Sequence, residues 1–101
     1  MGLDAIAVIK KLQTADAGRP GGGIEQTFLA VVSEDGKEYG RPRFFNDFRE
    51  VAVLLRRDGG VTHEQLHEHF ASYQRGEEVR LCLTLGNAEA LKRLGFNPDA
   101  A

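Results

Sequence analysis

Residues 62–70 read THEQLHEHF, and within them His63, Glu64 and His67 take the spacing H-E-x-x-H. On a helix, side chains four apart lie one turn above each other. Two such imidazoles can grip one metal ion while the glutamate between them activates a metal-bound water. The chemistry would be metal-assisted hydrolysis. It needs a further protein ligand, and Glu77, Glu78 and Glu89 are candidates that no spacing singles out.

The five residues H-E-Q-L-H resemble the signature of zinc-dependent hydrolases, and the resemblance ends there. Those families usually continue with small or apolar residues, whereas Glu68 and His69 follow here, and Phe70 stands where a G-x-x-H continuation would begin. A plainer reading uses every residue of the motif. Thr62 and Gln65 spell a T-x-x-Q capping box, with Val61 and Leu66 as the hydrophobic staple across it. Glu64 then sits in the first turn, where a negative charge meets the positive helix end. Leu66, Phe70 and Tyr73 form a core stripe, with His63 and His67 at its margin. We therefore assign no catalytic residue and no metal ligand, and expect no cofactor. The longer stretch LLRRDGGVTHEQLHEHF resembles the first two helices of a winged helix-turn-helix domain, whose third helix would enter the major groove. Here ASYQRGEEVRLCLTL runs almost directly into a strand, which leaves no room for that helix.

A second kind of chemistry is suggested by YGRPRFFNDFRE, where arginines alternate with aromatics. Residues 37–57 carry six basic and three acidic groups, a local +3 between acidic flanks, in a chain of net charge −2. If 37–45 is one strand, Tyr39, Arg41, Arg43 and Phe45 share a face. Arg49 and Arg56, seven apart, share a face of the helix that follows. Guanidinium groups so grouped suit an acidic protein face, or alternatively the phosphates of a nucleic acid. The competing structural role is edge protection of a strand. Phe44, Phe45 and Phe48 are expected in the core. The loop DAGRPGGG (16–23) lacks the spacing of a phosphate-binding loop and reads as a flexible connection. Cys82, opposite in phase to Leu81 and Leu83, reads as a small packed residue.

These groups must be carried by an α+β chain. AIAVIKKLQT (5–14) is β-branched enough to read as a strand, although a helix capped by Asp4 would also gather its apolar residues. IEQTFLAVVS (24–33) has apolar residues on both faces, which marks a central strand. Asp35-Gly36 predicts a two-residue turn into a returning strand over 37–45, with Pro42 pushing that strand to an edge. Asn46 can cap a helix to about Arg57 with the stripe Phe48, Val51, Ala52 and Leu55. Val53 and Leu54 fall outside that stripe, so one of them is expected in a subunit or partner contact. EVRLCLTL (78–85) alternates as a strand, and Asn87 opens a last helix closed by Gly95, with Phe96 folding back on Leu91.

The expected architecture is α+β: an antiparallel sheet of three to four strands with helices on one face, in the order β-β-β-α-α-β-α. It forms one domain over residues 1–101. With 42% hydrophobic and 28% charged residues the composition is that of an ordinary globular chain. One cysteine, no basic leader ahead of an apolar stretch and no bilayer-length apolar run predict a cytoplasmic protein without a membrane segment. The expected function is that of a small non-enzymatic binding or regulatory protein acting through protein–protein contact. Its partner would present an acidic face, with a homodimer as a further form of association. The contact residues are Arg41, Arg43, Arg49, Arg56, Val53 and Leu54. Nucleic-acid binding through the 41–57 arginines comes second, and a small zinc hydrolase third.

Overall fold

The computed structural model describes residues 3–15 and 23–98, so most of the glycine-rich connection, 16–22, lies outside the described residues. The elements follow as β1 (Leu3–Ala15), β2 (Gly23–Val32), β3 (Arg43–Phe45), α1 (Phe48–Asp58), α2 (His63–Gln74), β4 (Val79–Leu85) and α3 (Ala88–Arg93). This is the expected order. The strands form one antiparallel sheet in the order β3-β2-β1-β4. β1 is therefore the strand that its β-branched content predicts, and the two-faced apolar pattern of β2 places it inside the sheet.

Alternation decides which residues face the helices. Along β4 every second residue, from Val79 to Leu85, is buried and every residue between is exposed. These side chains join Ala5, Ala7 and Ile9 of β1 and Leu29 and Val31 of β2. All three helices pack their apolar residues onto that same face, so the fold has two layers with one core between them. Among the described residues one buried polar side chain lies in this core: the Thr27 hydroxyl meets the Tyr73 hydroxyl at 2.5 Å and ties α2 to β2. No helix among the described residues is long and apolar enough to cross a membrane.

The helix ends obey their local signals. Gln65 N–H donates to Thr62 Oγ1 at 3.1 Å and Thr62 N–H to Gln65 Oε1 at 2.9 Å, so the capping box is formed, and Val61 and Leu66 of the staple are both buried. At the end of α3, Phe96 N–H reaches Leu91 O at 3.2 Å and Gly95 takes φ +95°, the left-handed closure expected there. At the Gly59-Gly60 stop after α1, Thr84 N–H donates to Gly59 O at 3.1 Å, and a Cβ on Gly60 would collide with Thr84 O. The glycines thus end the helix and also let its exit lie against β4.

Three expectations are corrected. The turn at Asp35-Gly36 is closed by Ser33 and Lys37, so three residues make it, with Gly36 left-handed at φ +92°. The returning strand is only Arg43–Phe45, preceded by a single bridge from Glu38 to Val32. Gly40, at φ +90°, turns the chain out of the sheet, and Tyr39 O accepts from Asn97 N–H at 3.1 Å instead. Finally, α1 is capped by Asp47, one residue after Asn46, and its buried residues are Phe48, Val51, Leu54 and Leu55.

Candidate functional site

The arginines of the 37–57 segment are not brought together as one patch. Tyr39, Arg41, Arg43 and Phe45 do not share a strand face, because the chain leaves the sheet at Gly40. Arg41 stays exposed on that irregular stretch. Arg43 is half-buried: its Nη1 donates to Leu94 O at 2.6 Å, and its guanidinium carbon lies 4.9 Å from the centre of the Phe45 ring. A cation at a helix C-terminus meets the negative end of the dipole, so Arg43 acts as the cap of α3. Leu54 is also removed from the surface, at 9% exposure. The surplus apolar residue on α1 is Val53 alone, 55% exposed.

The other three expected residues do converge. Arg49, Val53 and Arg56 lie along α1 and line a cleft of ≈ 220 Å³ whose opposite wall is α2, with His63, His67 and Phe70. Its floor includes Phe48 and Leu66, and Phe70, 37% exposed, packs on Phe48 at 5.3 Å between ring centres. A second hollow continues past Phe48, Arg49 and Phe70 towards Lys11 and Gln74. Together they make a trough along the α1–α2 seam, apolar at its floor and basic along α1, with Asp47 and the Lys11–Glu25 pair at its far end. Neither Arg49 nor Arg56 has an ion pair among the described residues, whereas Arg57, Arg75, Arg80 and Arg93 each have one. Two bare guanidinium groups beside an apolar floor can take a carboxylate and an aliphatic or aromatic side chain at once.

Sequence reasoning placed Phe70 in the core and the histidines at the stripe margin. It missed that His63, His67 and Phe70, at i, i+4 and i+7, form a stripe of their own facing α1. That spacing was the available signal. The histidine rings stack at 6.2 Å between centroids, but Glu64 and Glu68 lie exposed beside them, and the described residues contain no group of three metal-ligating side chains. Two histidines on an open helix face are a donor set short of a hydrolytic zinc site. Cys82 is exposed rather than packed, because it points to the sheet face that carries no helix. Phe44 is likewise 56% exposed, against the expectation for a core residue. α2 passes to β4 through residues 75–78 alone, so the segment holds no recognition helix.

Two carboxylates are held ionised by neighbours. The Arg57 side chain donates to Asp58, with Arg93 adding a second contact at 3.3 Å, and together they keep the Asp58 carboxyl below its usual value of 3.8. Asp35 is lowered chiefly by its hydrogen bond from Ser33. Both sit away from the cleft and serve the fold. The fold and cleft together describe a two-layer α+β chain with a solvent-facing helical seam. Comparison with protein families, with curated proteins and with solved structures finds no match to the chain.

Proposed function

We propose that this chain is a small non-enzymatic binding or regulatory protein that acts through protein–protein contact. Its α1–α2 trough receives an acidic, partly apolar segment of the partner. One observation carries this reading: Val53 and Phe70 are bare between two helices whose rim holds Arg49 and Arg56 without counter-charges among the described residues. Large apolar side chains left in solvent next to unpaired arginines are the composition of a contact surface, where arginine and aromatic anchors dominate binding. An amphipathic helix laid along the seam would set its apolar side on Val53 and Phe70 and its carboxylates against the arginines. Arg41 belongs to a separate stretch, Arg43 is engaged at the end of α3, and Leu54 is buried in the core. The lone, unpaired Cys82 fits a reducing, cytoplasmic setting.

The test uses a set of short amphipathic peptides bearing leucine and glutamate at helical spacing, titrated into isotopically labelled protein. Shifts confined to α1 and α2, lost when glutamate is replaced by lysine in the peptide, support the reading. Binding of single-stranded RNA or duplex DNA with a steep fall in added salt, and no peptide binding, would favour the nucleic-acid alternative instead.

A further inference from the structure

The helices cover one face of the sheet, and the other face is also apolar. Ile6, Val8, Phe28, Ala30, Val32 and Phe44 project from it, outside the core beneath the helices; Val8 and Ala30 are buried among their neighbours, Ile6, Phe28 and Val32 are half-buried, and Phe44 is exposed. Register makes them contiguous. Ile6 lies opposite Val32 on one side and Cys82 on the other, Val8 lies opposite Ala30, and Phe28 lies opposite Phe44 with their rings edge to face at 5.8 Å. A sheet with helices on one side would ordinarily turn polar residues to the other.

The charges around this face have opposite signs at opposite ends. Asp4, exposed at one end of β1, shares a surface hollow with Glu34 and Asp35. Lys10 is exposed six residues along the same strand, on the same face, and has no ion pair among the described residues. Arg80, also on this face, is already paired with Glu78 at 3.1 Å.

We propose that this face, which no helix covers, docks a second copy of the chain, sheet against sheet, about a two-fold axis that runs between the two sheets, perpendicular to β1 and over Ala7. That axis sets Asp4 of each copy against Lys10 of the other and closes the apolar rows between them. One patch with both signs at its ends is self-complementary, which an isologous contact requires. A nucleic acid or an anionic lipid surface would meet the acidic end unfavourably. Three strands of about seven residues and the three-residue β3, about 4.8 Å apart, offer a footprint of roughly 380 Å² per copy, below that of a stable specific interface and in the range of weak contacts. The dimer is therefore concentration-dependent, and the two end pairs set its orientation.

The experiment is sedimentation equilibrium of the full chain over a range of concentrations. Asp4→Lys and Lys10→Asp should each weaken the dimer about tenfold or more, and the double exchange should restore it to within about threefold. Circular dichroism verifies that each variant keeps its fold. Val53→Glu, on the opposite side of the molecule, should leave the dimer constant unchanged, which separates this contact from the cleft. A wild-type chain monomeric up to about 1 mM would overturn the proposal. So would a double exchange no tighter than the single variants, or a dimer abolished by Val53→Glu.

Discussion

The Arg43 side chain donates to the carbonyl of Leu94, 51 residues further along the chain, and so fastens the edge strand β3 to the end of α3. Gly95 makes the approach feasible, because a Cβ there would occupy the space of the Arg43 guanidinium. An arginine that reads in sequence as surface charge is thus part of the helix cap. Arg43→Ala should cost about 1–2 kcal/mol, through a lost charged hydrogen bond and an orphaned carbonyl. Gly95→Ala should cost a similar amount, since φ +95° strains any residue with a Cβ. Urea denaturation measures both. An unchanged Arg43→Ala variant would return that residue to the surface.

Neighbouring positions on α1 should behave oppositely. Leu54→Ala removes buried contacts and should cost about 2–3 kcal/mol. Val53→Ala, on the open side, should change stability by less than about 0.5 kcal/mol. Equal losses by thermal unfolding would contradict the placement of the two side chains.

The buried Thr27–Tyr73 pair makes a third test. Tyr73→Phe alone leaves the buried Thr27 hydroxyl without its partner and should cost about 1–3 kcal/mol. Adding Thr27→Val should recover part of that loss, because the polar group is then gone as well. A double-mutant cycle with no coupling would show that the hydroxyls do not interact.

Asp58 predicts a pH dependence. Its carboxyl is held down by Arg57 and then Arg93, so the folded state binds the proton less readily than the unfolded chain. Such a group stabilises the fold above the unfolded value of 3.8, and the contribution fades as pH falls through the lower folded value. Asp58→Asn should therefore be less stable than wild type at neutral pH, with the gap closing in acid. A gap that widens on acidification would reverse the assignment.

What was legible in the sequence was local. The alternation of Val79, Leu81, Leu83 and Leu85, the Thr62–Gln65 box and the Gly95 closure each follow from a few neighbouring residues, and each is formed. The less legible features depend on distant packing. Arg43 is drawn in by Leu94, and Gly40 leaves the sheet where Asn97 takes up Tyr39 O. Cys82 is exposed because the helices chose the other face, a choice that a single strand pattern does not reveal. Of the cleft, the α1 half, Arg49, Val53 and Arg56, was read in advance; the His63, His67, Phe70 spacing of the α2 half is also present in the sequence, but it becomes a wall only once α1 lies beside it.

The most direct measurement is the affinity of an acidic amphipathic peptide for wild type and for the Arg49→Glu, Arg56→Glu double variant, by calorimetry at low and high salt. The cleft predicts measurable wild-type binding and a loss of at least about tenfold in the variant, with melting temperature nearly unchanged because both side chains are exposed. It also predicts recovery when the peptide glutamates are exchanged for lysines. Equal binding by wild type and variant, or peptide-induced shifts mapped away from α1 and α2, would contradict it.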